Sequence, residues 1–186
     1  MEHEIIETTE DGRFRVRLEI HQSAENPRRD YDHNTHVITM KNSRYIDVDT
    51  DGGPLQSGWD RVADRDGAVK IFTRWARVFH GSTAIEDNPV EGARSLWYMT
   101  PEQIKDVGNT PEEVIRSEIN EYRSWAKGEV YGYIIERAVD WDSRDSDEST
   151  STWEEVESCW GLIGSEWAEQ AARDAFASYE TEGAKA

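Results

Sequence analysis

Two stretches decide the fold: EVYGYIIER, Glu129 to Arg137, and EEVESCWGLIG, Glu154 to Gly164. Both are rich in β-branched and aromatic residues, the types that suit a half-buried pleated surface. The segment between them, AVDWDSRDSDESTSTW, sets Asp140, Asp142, Asp145, Asp147 and Glu148 against Arg144 alone. So many like charges favour solvation over burial, so the two stretches read as a hairpin closed by an acidic loop over residues 140–152. Working outward, RFRVRLEIH (Arg13 to His21) alternates strictly, with Phe14, Val16, Leu18 and Ile20 on one side and charged residues on the other. That period of two marks another antiparallel strand.

Helical signals fill the middle. In GAVKIFTRWARVFHG, Ala68, Phe72, Trp75, Ala76 and Phe79 recur at helical spacing before Gly81. In TPEEVIRSEINEYRSWAKG, Thr110 and Glu113 form a capping box, Pro111 sits in the first turn and Gly128 stops the helix. HVITM (His36 to Met40) and SLWYM (Ser95 to Met99) read as strands, and YIDVDTDGGP as a short strand entering a turn. TPEQIKDVG reads as a short helix capped by Thr100. Ser165 starts a last helix whose apolar side is Trp167, Ala168, Ala171, Ala175 and Phe176. Without regular βαβ alternation, the expectation is an α+β single domain over residues 1–186, a mainly antiparallel sheet with three or four helices packed on it. Residues 1–11 and 181–186 are expected to fray.

Composition narrows the function classes. Among 186 residues, 39 acids against 21 bases leave a formal charge of −18. The bases are skewed, with 16 Arg and 5 Lys. A basic footprint for phosphates is missing, which disfavours direct nucleic-acid binding. Two readings of the acidity stand side by side: adaptation to high salt, and mimicry of DNA by carboxylates placed like phosphates. A single cysteine excludes an intramolecular disulfide. No apolar run is long enough to span a membrane, and the acidic start lacks signal-peptide order, so a soluble, cytoplasmic protein is expected.

The order SLWYMTPEQ, EEVIRSEINEYRSWAKGEVYGYIIE and EVESCWGLIG, followed by a closing helix, resembles a family of uncharacterised proteins carried by phages, archaeal viruses and plasmids. That family shows an E-x-x-x-Y helix, then G-x-V-Y-G-Y and D-S-C-W-G-F-Y-G. Glu118 and Tyr122, Gly128 to Tyr133, and Ser158 to Gly161 with Gly164 stand at those places. The opening strand and ENPRRDYDHN loop also look like the family's E-S-P-R-x-x-D-N segment. This chain departs where the family has P-W-D-S-G, since Val90 and Glu91 replace Trp and Asp. The resemblance implies a mobile-element accessory protein, and the lysine-poor acidity suits a halophilic archaeal virus or host.

Candidate chemistry is sparse. Cys159 lies among acids that raise a thiol's pKa, with no histidine near it in sequence, so it reads as a small core residue. Gly132 and Gly161 read as making room for aromatic side chains. DVDTDGG offers Asp47, Asp49 and Asp51 with Gly52 as the start of a calcium-type loop, but Gly58 stands where the bidentate acid belongs. DYDHNTH offers His33 and His36 beside Asp30 and Asp32, a carboxylate–imidazole set that suits Zn²⁺ or Fe²⁺. No cofactor is called for beyond an incidental Ca²⁺ or other divalent cation, and nothing in the sequence asks for an enzyme. Trp141 and Trp153 flank the acidic loop, where aromatic anchors among carboxylates suit a partner with a basic surface. The expected function is therefore an acidic accessory protein that binds and modulates or inhibits a host DNA-handling or defence protein, with DNA mimicry as one route, through Asp140, Trp141, Asp142, Asp145, Asp147, Glu148 and Trp153. The alternatives are a metal-dependent enzyme built on the Asp30–His36 segment, and a scaffold whose acidity is only a salt adaptation.

Overall fold

The structure, a computed structural model, describes residues 3–30, 32–41, 51–105, 107–142 and 149–183. In chain order the elements begin β1 (His3–Thr8), β2 (Phe14–Ile20), α1 (Pro27–Asp30), β3 (His36–Lys41), α2 (Gln56–Asp60) and α3 (Ala68–His80). They continue β4 (Thr83–Asp87), β5 (Arg94–Met99), α4 (Pro101–Lys105), α5 (Pro111–Ala126), β6 (Val130–Asp142), β7 (Ser149–Ile163) and α6 (Ser165–Gly183). The class is α+β, with antiparallel pairing throughout. The strands divide between two sheets, where the sequence suggested one, and the chain forms two compact units, Met1–Ala24 with Gly128–Ala186, and Glu25–Lys127.

The first unit holds the four-stranded sheet β1-β2-β6-β7 with α6 across one face. Alternation in β2 does its expected work: Val16 and Leu18 are buried against Tyr133, Ile135 and the α6 residues Ala168, Ala172 and Phe176. Alanine at two of those three helical positions lets α6 lie close to the sheet. The buried stripe is thus i, i+4, i+8, and Trp167, expected on it, is rotated away by one residue and 62% exposed. The N-terminal segment, expected to fray, is instead an edge strand paired with β2. Its turn is fixed by Asp11, which accepts from the Thr9 hydroxyl at 2.7 Å and the Arg13 N–H at 3.0 Å. Those bonds, the Thr9 one first, hold the Asp11 carboxyl down at about 2. At the other end α6 carries on through Gly183, past the expected start of the frayed tail.

β6 and β7 form the hairpin expected from sequence, but the strands run further than the hydrophobic pattern does. Pairs extend from Val130↔Ile163 to Asp142↔Ser149, so Asp140 to Asp142 and Ser149 to Thr152 are ladder rather than loop. Gly132 pairs with Trp160, and a Cβ there would fall 2.2 Å from the indole, so only glycine accommodates that ring. Cys159 pairs with Tyr133 and packs half-buried on the core, as a small hydrophobe would.

The second unit centres on β5, the middle strand of β3-β5-β4. Leu96 and Tyr98 face Phe72 and Ala76 of α3, while Trp97 and Met99 face Ile115, Ile119 and Tyr122 of α5. Both faces are covered, which is why Ser95 to Met99 is buried throughout and shows no polar alternation. Gly81 closes α3 in the left-handed region, at φ 62°. The Thr110–Glu113 capping box is present at the start of α5.

Candidate functional site

The residues singled out in the sequence fall into two groups. The first lies on the β6–β7 ribbon. β2 pairs with β6 from Tyr131 to Arg137, and the Ala138 N–H still donates to the Arg13 carbonyl at 2.8 Å, so the pairs Val139↔Thr152, Asp140↔Ser151, Trp141↔Thr150 and Asp142↔Ser149 form a two-stranded extension beyond the sheet. Asp140 and Asp142 take alternate positions of β6, in step with Ala138, whose partner is Trp153. Asp145, Asp147 and Glu148 lie outside the described residues. Trp153 stays 36% exposed while the Arg15 guanidinium stacks over it, 4.0 Å from the ring centroid. Arg15 is itself held at 2.7 Å by Glu136, which also meets Arg17 at 3.1 Å. Glu136 is thereby a buried carboxylate with two cations, the condition under which burial of such a charge is tolerated. The base of the ribbon is thus a rigid, ion-paired platform with an accessible indole on it.

The second group joins two motifs that the sequence treats separately. Asp51 accepts the Val37 N–H at 2.9 Å through Oδ1, and its Oδ2 lies 2.6 Å from His36 Nδ1 and 4.0 Å from His33 Nε2. Burial pushes the Asp51 carboxyl up, but the Val37 N–H and His36 outweigh it and leave it below the ordinary aspartate value. Tyr98, fully buried, donates to the Gly52 carbonyl at 2.8 Å and accepts the Leu55 N–H at 3.1 Å. Burial, and secondarily the Asp51 charge, raise its phenol to about 12. The Asp-Gly turn is therefore tied to the start of β3 through Asp51 and to β5 through Tyr98, and both Asp51 oxygens are engaged by protein groups. Asp47 and Asp49 lie outside the described residues, and nothing is described of the Asp30 side chain. Among the described residues, no group of three or more His, Cys, Asp or Glu side chains is placed to hold a metal ion.

Beside this latch, Asp32 and His33 line a small cavity with Arg28, Trp97, Glu121 and Tyr122. Its volume of about 30 Å³ admits water or the tip of one side chain. The Arg28 guanidinium lies 5.1 Å from the Trp97 centroid and donates to the Thr35 hydroxyl and carbonyl, each at 3.0 Å. Glu118 accepts the Asn34 N–H at 2.6 Å and the Thr35 hydroxyl, with Arg28 3.7 Å away. Burial, then the Glu118 charge, raise the Glu121 carboxyl above its ordinary value. The Asn-Pro-Arg loop, the SLWYM strand and the Glu-x-x-x-Tyr helix thus meet at one place. Sequence reasoning noted each motif but did not join them; the signal was that Glu118 and Tyr122 are spaced to share a helix face. No protein-family model, curated sequence or solved structure matches the chain.

Proposed function

We propose that this chain is an acidic accessory protein of a virus or mobile element that binds a basic surface on a host protein, with the β6–β7 ribbon as its contact arm. The observation that carries this reading is the extension of the ribbon beyond the sheet, at the one stretch where acids are densest in the sequence. A two-stranded arm can enter a groove that the body of a protein cannot, and carboxylates on it steer encounter with a basic groove. Trp153 supplies an aromatic anchor, held in place by Arg15. Competition with DNA follows where the partner's basic groove is its DNA site. No helix of the described residues is long and apolar enough to cross a membrane.

The test is replacement of Asp140, Asp142, Asp145, Asp147 and Glu148 by their amides, with Trp153→Ala as a separate variant. The ribbon reading expects the amide variant to keep the thermal transition, and both variants to lose affinity for the captured partner, the amide variant through slower association. Unchanged affinity in the amide variant would overturn it.

A further inference from the structure

A second surface has the opposite electrostatic sign. β4 is an edge strand, and the sheet's two faces are covered by α3 and α5, so its outer edge opens into a groove of about 380 Å³. Thr83 and Ala84 of β4 line the groove, with α3 on one side and Glu112 of α5 beside it. Among the described residues no backbone hydrogen bond is made to the outer edge of β4. The α3 side presents Lys70, Arg74 and Arg77, all exposed, with the Thr73 hydroxyl between them. In a chain of charge −18, where Arg15, Arg17, Arg94, Arg123, Arg137 and Arg173 all hold carboxylates, these three cations have no ion-pair partner among the described residues.

We propose that this groove docks an extended acidic segment of a partner protein, which adds as a fourth strand to β4 and sets carboxylates against Lys70, Arg74 and Arg77. The site is distinct from the β6–β7 ribbon and does not depend on the role given to it. Two independent features specify the occupant. The open edge asks for backbone donors and acceptors in extended conformation, the mode of β-strand addition. Lys70 and Arg74 are separated by a rise of about 6 Å along the helix, close to the roughly 6.6–6.8 Å between alternate side chains of a strand, and Arg77 follows after about 4.5 Å, within reach of its long side chain. A nucleic-acid backbone meets only the charge requirement, since it has no row of N–H and C=O groups to pair with the open edge.

The experiment is fluorescence anisotropy of the full chain with a labelled, end-blocked octapeptide alternating Asp and Val. Three further probes accompany it: the same peptide with a central proline, a Lys-for-Asp peptide, and an eight-nucleotide single-stranded DNA. The proposal expects saturable binding of the Asp peptide, weakened about tenfold by Arg74→Glu, since the reversal replaces an attraction to the facing carboxylate by a repulsion of similar size. Arg61→Glu, an equal charge change outside the groove, should leave it unaltered. The proline peptide should bind at least as weakly as the Arg74→Glu variant binds the original, and amide shifts should concentrate at Thr83 to Ile85. Circular dichroism checks that Arg74→Glu, which breaks no hydrogen bond or ion pair among the described residues, remains folded. Absence of peptide binding overturns the proposal. So does equal binding of the proline peptide, tighter binding of the DNA, or self-association abolished by Arg74→Glu, which would assign the groove to a second copy.

Discussion

Tyr98→Phe removes one oxygen from the interior and tests the latch that joins the Asp-Gly turn to β5, beside its attachment to β3. The ring contacts with Phe72 and His36, at 6.3 and 5.2 Å, survive the change, so little packing is lost. What disappears is the acceptor for the Leu55 N–H and the donor to the Gly52 carbonyl, at a side chain with no accessible surface. Each buried group left unsatisfied costs about 1–3 kcal/mol, and the two are close enough to relax together, so the expected loss is about 2–4 kcal/mol. For a chain of this size that corresponds to a fall in Tm of roughly 5–15 °C. Calorimetry gives the size of the loss, and amide exchange gives its place: protection should fall at Leu55 and at Val37, whose N–H is held by the same turn through Asp51. Tyr131→Phe is the control, since its hydroxyl has no hydrogen-bond partner among the described residues, and should change stability by less than about 0.5 kcal/mol. A Tm within 1 °C of wild type, with Leu55 still protected, would refute the reasoning.

Three other outcomes are expected. Because the Asp51 carboxyl is depressed in the folded state, its contribution is present above the unfolded value and lost as pH falls through the folded one. The Tm gap between wild type and Asp51→Asn should therefore be widest at neutral pH and close below about pH 4, and a gap independent of pH would contradict this. Tyr98 and Tyr133 are both raised to about 12, Tyr133 by burial and then by its bond to Glu157, so their stabilising contribution is present below about pH 10 and lost toward 12. Alkaline absorbance titration should show a late-ionising fraction that shrinks in Tyr98→Phe and in Tyr133→Phe. Gly132→Val would drive its side chain into Trp160, which is 43% exposed and can swing outward; a loss of about 1–3 kcal/mol and a red-shifted indole emission are expected, and an unchanged spectrum would argue against the stacking.

Local chemistry was legible where the signal was local. Thr110, Pro111 and Glu113 announce α5, and the Phe14–Ile20 alternation announces β2. The ribbon hairpin was legible too, but its true length was not. The β6–β7 ladder continues past Arg137, where pairing with β2 ends, through a stretch rich in Asp, Ser and Thr, a composition that reads as loop. β1 and β4 escaped notice for a related reason: both are short edge strands whose acidic positions interrupt any apolar alternation. The division into two sheets depends on which strands meet across more than a hundred residues, as β2 and β6 do, and periodicity carries no such information. Trp167 misled because a helical stripe drawn through the largest residue is not the one that packs closest to a sheet. The joining of Asp51 to His36 and Val37 was hidden because a backbone N–H, which has no letter in the sequence, holds one of the two carboxylate oxygens.

The central claim, that the acidic ribbon is a contact arm for a basic partner, is tested most directly by paired affinity capture. Tagged wild type and the variant with amides at Asp140, Asp142, Asp145, Asp147 and Glu148 would be exposed to the same nuclease-treated host lysate at the host's own salt. The account predicts one basic protein recovered in near-stoichiometric amount by wild type, released by rising salt and missing from the variant. The same proteins recovered by both, in the same amounts, would contradict it.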